Sequence, residues 1–175
     1  VFSRLTAWLA PILCFTAEEA WRARFPEDDS VHLRQFPDIP ADWRNQALLE
    51  RWSKIRTLRR VVTGALEVER KEKRIGASLQ GHPLVYAPGE YLAALDGLDA
   101  AEICITSAIT LHAEAPPAGA FTVEDIADIG VVVGLAKGGK CARCWQVLPE
   151  VADDENADAA VCRRCLTAVA AHAAA

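Results

Sequence analysis

Methionine is missing altogether, even at position 1. A chain opening on Val1-Phe2-Ser3-Arg4 therefore reads as a piece of something longer, entered inside a helix. Long apolar runs are missing too. Each is cut by charge or glycine, so no membrane span is expected. The opening "VFSRLTAWLAPILCFTAEEAW" has the length of a signal peptide, but it carries Arg4, runs on into acids and shows no small-residue cleavage site. Histidine is sparse: His32, His82, His112 and His172 lie far apart, and none shares a local pattern with a Ser or Cys nucleophile and an acid. No catalytic set is expected. Gly138-Gly139 is not a phosphate loop, because the following Lys140 opens a cysteine turn instead of a helix.

Positive charge is missing from one whole region. Residues 76–136 contain no Lys or Arg against eight acids, whereas residues 50–75 hold nine Lys and Arg against four acids. The net charge of −5 argues only weakly against nucleic acid, since an acidic chain can still present a basic stripe. Such segregation predicts separate modules with different surfaces. At 175 residues and 51% hydrophobic, the chain can bury one moderate core or two small ones.

Three modules follow from the patterning. In residues 1–75, one helix ends near Pro11–Phe15. A second is expected from a capping box, with Thr16 as N-cap and Glu19 three residues on, and it stops at Phe25-Pro26. "EDDSVHLRQFPDIPAD" is a connection, extended in part before its prolines. A long helix runs from about Trp43 to Arg74, with Leu48, Trp52, Ile55, Leu58, Val62, Ala65 and Leu66 along its apolar side. At about 100° per residue, Arg56, Arg60, Lys71 and Arg74 gather on the opposite side. Residues 76–136 read as a small α/β unit with its own core: a strand in "ASLQGHPLVYA", a helix in "PGEYLAALDGL" behind Pro88, a strand in "AEICITSAITLHA" and another in "VEDIADIGVVVGLA". Residues 137–175 are a cysteine module with an alanine-rich helical tail from Leu166. The fold class is α+β.

The densest signal is "KCARCWQVLPEVADDENADAAVCRRC". Cys141-x2-Cys144 and Cys162-x2-Cys165 stand 17 residues apart. Paired thiolates in a tight turn point two sulfurs at one ion, about 2.3 Å away, and two such turns complete a tetrahedron. The spacing is that of a zinc site, and four thiolates leave no open position, so the metal would hold structure and not activate water. Disulfides and a redox pair are the competing readings. Nothing marks secretion, and Cys14 and Cys104, both in apolar surroundings that suggest core positions, fit a reducing compartment.

The neighbours leave two readings open. Trp145 either covers the metal or offers a flat face to an unstacked base. Arg143, Arg163 and Arg164 lie in the turns, where side chains not used as ligands are expected to point outward. Acids at 150–158 balance them and should face away from any phosphate. The basic side of the long helix is either a nucleic-acid contact or a solvated face, with Glu67 and Glu69 available for local pairing with Arg60, Arg70, Lys71 or Lys73.

Several stretches resemble one known family in the right order. "LTAWLAPILCFTAEEAW" and "SVHLRQFP" are similar to the anticodon-binding domain shared by the isoleucyl, valyl and leucyl class I aminoacyl-tRNA synthetases. "ALEVERKEKRIGASLQ" and "VGLAKGGKCARCW" with "VCRRC" resemble the isoleucyl enzymes of bacteria. The resemblance implies the end of a helical anticodon domain (1–75), an α/β junction domain (76–136) and a zinc finger (137–175). It implies one structural Zn2+ on Cys141, Cys144, Cys162 and Cys165, and a finger that meets the anticodon stem-loop of tRNA, with Trp145 at the family's Trp after the second cysteine. ATP and isoleucine belong to an upstream catalytic part of the same polypeptide that this chain does not include. A cytoplasmic, monomeric protein with no membrane contact is expected. A stand-alone zinc-ribbon adaptor is the competing class, and the finger also resembles that of formamidopyrimidine-DNA glycosylases, whose N-terminal proline and glutamate are missing here.

Overall fold

The structure is a computed structural model and describes residues 1–151 and 160–173. By compactness the chain divides into Val1–Gln46 and Ala47–Ala175.

The first unit is built on two helices, α1 (Phe2–Leu9) and α2 (Cys14–Arg24). Pro11 cannot sit inside a helix, and the chain turns there. The turn returns Leu13 N–H to the Leu9 carbonyl, so α2 starts at once at Cys14 with Leu13 at its N-cap. Thr16 therefore lies within the first turn of α2, and the expected capping box does not form. The acid that works is Glu18. Its carboxylate accepts hydrogen bonds from Arg22 Nε (2.9 Å), Ser30 Oγ (2.8 Å) and the Val31 N–H (2.9 Å), pinning the following segment back onto the helix. Those same bonds, Arg22 first, hold the Glu18 carboxyl below its ordinary pKa. Val31 enters the small core with Ala7, Ala10, Ala17 and Trp21, while Phe2 and Phe25 pack around it. Cys14, expected in a core, is exposed.

The second unit centres on α3 (Gln46–Lys71). It ends in a left-handed Lys73 (φ 60°), with Arg74 N–H bonded to Glu69 O and Lys73 N–H to Arg70 O. This is a Schellman stop that uses lysine where glycine is usual. The sheet has the order β2-β1-β4-β3, with β1 (Gly81–Tyr86), β2 (Thr110–His112), β3 (Phe121–Val123) and β4 (Ile126–Leu135). Strands β1 and β2 run parallel; β4 is antiparallel to β1 and β3. The parallel crossover carries two short helices, α4 (Gly89–Ala94) and α5 (Ala100–Cys104).

"AEICITSAITLHA" (101–113), where a strand is expected, is thus helical at its start and forms strand β2 only over Thr110–His112. Asp99 accepts from the N–H groups of Ala101 and Glu102 and starts α5, overriding the strand preference of Ile103 and Ile105.

The α/β region does not have a core to itself. Ile55, Leu58, Val61, Val62, Ala65 and Leu66 of α3 are buried in one cluster with Ile75, Val85, Leu95, Ile129 and Val131. Gly64 lets the helix approach, since a Cβ there would lie 2.9 Å from the Phe121 ring. Leu48 and Trp52, expected on the same apolar side, are 48% and 38% exposed, so only the later turns of α3 are covered.

Candidate metal centre and nucleic-acid interface

The finger begins where β4 ends. Gly138 has φ +109°, and a Cβ there would lie 2.1 Å from the Leu148 carbonyl oxygen, so only glycine fits. Strands β5 (Gly139–Lys140) and β6 (Val147–Leu148) pair antiparallel and carry the first cysteine turn between them. Within that turn Cys141 N–H donates to Gln146 O (2.8 Å), Trp145 N–H donates to Cys141 O (2.9 Å), and Trp145 is left-handed at φ 66°. The second pair lies at the start of helix α6 (Arg163–Ala173): Cys162 precedes it and Cys165 sits in its first turn. The acids of the expected 150–158 loop, apart from Glu150, lie outside the described residues.

Two turns far apart in sequence converge. The sulfurs of Cys141, Cys144, Cys162 and Cys165 all lie within 4.8 Å of one another, and Cys144 Sγ is 3.8 Å from Cys162 Sγ. A tetrahedral zinc with bonds of about 2.3 Å requires sulfurs about 3.8 Å apart, so the donor set fits that ion in kind, number and spacing. Cys141, Cys162 and Cys165 are buried.

Burial works against a thiolate at Cys141, but N–H groups from Cys144, Cys162 and Arg143 aimed at its sulfur bring its pKa down to about 6. The Cys165 N–H acts to lower Cys162, yet burial and the neighbouring sulfurs push it up to about 11. Four crowded sulfurs resist carrying several negative charges together until a cation joins them.

The arginines do not all point outward. Arg143 Nη1 is 3.8 Å from Cys165 Sγ, and Arg164 Nη2 is 3.4 Å from Gln146 Oε1. The Cys144 sulfur raises the pKa of Arg164. Both cations thus offset negative charge on sulfur. Arg163 pairs with Glu150 at 3.3 Å. Trp145 is 61% exposed, with Lys140 Nζ 5.6 Å from its ring centroid.

On α3 the stripe divides. Arg60 is paired with Asp125 in the β3–β4 turn (2.8 Å), and Arg74 with Glu69 (2.7 Å) and Glu72. Glu67 pairs with Arg70. Arg56 and Lys71 make no ion pair among the described residues. Pattern reading missed Arg51 and Arg59. They reach the sheet region, Arg51 donating to Ala94 O (2.8 Å) and Asp96 O (2.5 Å), and Arg59 to Ile103 O (2.9 Å). Both lie one turn from apolar α3 positions, the only signal that could have separated them. Cys104 is buried, which raises its pKa to about 11. No helix among the described residues is long and apolar enough to cross a membrane.

Along the chain a helical pair and a long helix precede a mixed sheet and a four-sulfur finger. A profile of the family described as "Anticodon-binding domain of tRNA ligase" matches residues 1–85. It is 55% identical over 155 residues to an isoleucine–tRNA ligase from Agrobacterium fabrum and 52% identical over the same length to one from Bartonella henselae. One from Caulobacter vibrioides is 51% identical, again over 155 residues. Each alignment covers 88% of this chain and 16% of the relative, so the chain spans about a sixth of the length of the proteins it matches. At 155 residues the similarity extends well beyond residues 1–85 and favours a ligase segment over a stand-alone adaptor.

Proposed function

We propose that this chain is the tRNA-recognising C-terminal part of an isoleucine–tRNA ligase, the cytoplasmic enzyme that uses ATP to attach isoleucine to its tRNA. Residues 1–75 complete the helical anticodon-binding domain, 76–136 form a junction domain, and 137–175 are a finger holding one structural zinc. Cys141, Cys144, Cys162 and Cys165 hold the ion, which supplies a fixed tetrahedral node and no open position for chemistry. ATP, isoleucine and the bond-forming step belong to upstream domains of the same polypeptide.

The observation that carries the RNA reading is Trp145. A tryptophan left 61% exposed, on a left-handed residue inside a metal turn and beside Lys140, is presented and not packed. Base stacking on such a ring contributes about 1–3 kcal/mol. Arg56 and Lys71 are the stripe residues ready for phosphate; Arg74 and Arg163 reach it by exchanging their carboxylates, Arg60 stays with Asp125 and contributes little, and Arg143 and Arg164 approach it from the sulfur cluster. In the intact ligase, Trp145→Ala should weaken tRNA binding roughly tenfold to a hundredfold. Zinc content should not change. Unaltered tRNA dependence with zinc retained would leave the ring without an RNA role.

A further inference from the structure

A cleft lies between the uncovered face of the sheet and the finger, and nothing above assigns it. Strand register explains it. His82, Leu84 and Tyr86 alternate along β1 and share a face with their partners Thr110 and His112 on β2 and Gly130, Val132 and Gly134 on β4. The opposite face, with Val85 and Val131 fully buried, is the one packed on α3. Among the described residues, the side of the sheet that carries His82 is not the one packed on α3. The finger's β5–β6 hairpin stands over one end of that side and encloses about 580 Å³. Small-molecule seats commonly have volumes of about 300–1,000 Å³.

The floor is flat and largely apolar: Leu84, Ala108 and Gly134, with Val147 and Leu148 as the wall. Floor and wall are fixed to each other by Ser107. Its hydroxyl donates to Leu79 O (2.5 Å) and accepts from the Val147 N–H (2.7 Å), and the residue is only 9% exposed. The cleft is preformed, with little ordering left to do on binding. His82 Nε2 is bonded to Thr110 Oγ1 (2.8 Å), and its Nδ1 has no protein partner among the described residues. Further along the same face Tyr86 and His112 stack at 4.7 Å, a ready aromatic platform.

Charge selects the occupant. Residues 76–136 contain no Lys or Arg, so any anion over this floor must be met from the finger side. Lys137 lines the cleft there, exposed and in no ion pair among the described residues. A flat apolar floor, one polar ring nitrogen and one cation at the rim suit a planar heterocycle that carries a phosphate. We infer that this cleft seats a single unpaired nucleotide of the tRNA, next along the hairpin from Trp145. Unpaired bases are what protein surfaces of this kind read in RNA, through ring faces and exposed edges. The inference rests on the tRNA reading above.

The test uses the intact zinc-loaded ligase with an isoleucine-accepting tRNA transcript and two variants. Lys137→Ala removes the rim cation from an exposed position. Binding should fall about threefold to tenfold, and the slope of log affinity against log salt should shrink by about one. Leu84→Asp puts a carboxylate on the floor, and binding should fall at least tenfold. Transcripts carrying 4-thiouridine at single-stranded positions should cross-link to peptides containing Leu84 or Val147-Leu148. Unchanged affinity and salt slope in both variants, with no such cross-link, overturns the cleft. If Leu84→Asp loses zinc or unfolds, Lys137→Ala decides alone. Cleft variants without effect beside a Trp145→Ala variant that binds poorly would overturn this inference alone. Indifference to Trp145→Ala and to loss of Arg56 would overturn the reading on which it rests.

Discussion

Around Leu58 and around Cys141 the same compact unit is held by different means. The first region gathers fifteen buried apolar residues from α3, the sheet and α4–α5. Among the described residues the second buries Cys141, Val151, Cys162 and Cys165, with Cys144, Leu148, Ala160 and Val161 partly covered. Hydrocarbon removed from water contributes about 25 cal/mol per Å², so the first region stabilises itself under any conditions that keep water out. The second has too little apolar surface for that, and its sulfurs repel one another once ionised. On the zinc reading proposed above, its order depends on the cation. A surface that must be firm yet small can be built in this way, at the cost of depending on metal supply.

The largest effect expected is therefore loss of the metal. Cys162→Ser, or a strong chelator on the unsubstituted chain, should abolish a stoichiometry of about one zinc per chain by mass spectrometry. Amide resonances of the finger should collapse to unfolded positions while those of Val85 and Val131 stay. In zinc-finger peptides the ion contributes about 10–16 kcal/mol, far more than this small cluster supplies. If the sheet resonances collapse too, Ser107 couples the two regions into one cooperative block and the contrast drawn above fails.

Leu58→Ala addresses the other region. Leu58 is 1% exposed, and truncating a buried leucine usually costs about 2–5 kcal/mol. Urea unfolding followed at the sheet should show that loss with zinc stoichiometry unchanged. Zinc released in step with unfolding of the Leu58→Ala sheet would again join what the comparison separates.

Much of this was legible from residue order because it depends on short-range rules. Cys-x2-Cys spacing leads to converging sulfurs, and the apolar period from Ile55 to Leu66 leads to the buried side of α3. Pro88 marks the start of α4. Legibility failed where a neighbour outside the window decided the outcome. Thr16 has the chemistry of an N-cap, but the turn after Leu9 lets α2 begin three residues early. "AEICITSAITLHA" has strand composition, yet Asp99 caps a helical turn first. The basic stripe was read as one surface because periodicity places charges around a helix without saying what faces them. Asp125, 65 residues from Arg60 in sequence, is invisible to that reasoning.

The smallest effect expected is the one that separates members of the stripe. Arg60 and Asp125 form a pair whose side chains are 59% and 62% exposed, and exposed pairs of this kind contribute little. Arg60→Ala should leave the melting temperature within error. Its effect on RNA depends on which carboxylate or phosphate the guanidinium faces in the complex. Phosphate contacts release counterions, and each one lost shrinks the salt slope by about one. Arg56, with no ion pair among the described residues, should show that change when replaced by alanine. Arg60 should show almost none, because Asp125 already neutralises it and would have to be desolvated from its partner before a phosphate could take its place. Two single variants, compared by tRNA binding at two salt concentrations, therefore read the stripe residue by residue. Equal slopes for Arg56→Ala and Arg60→Ala would mean that the ion pair opens on binding and that the whole face, not its unpaired part, meets the RNA.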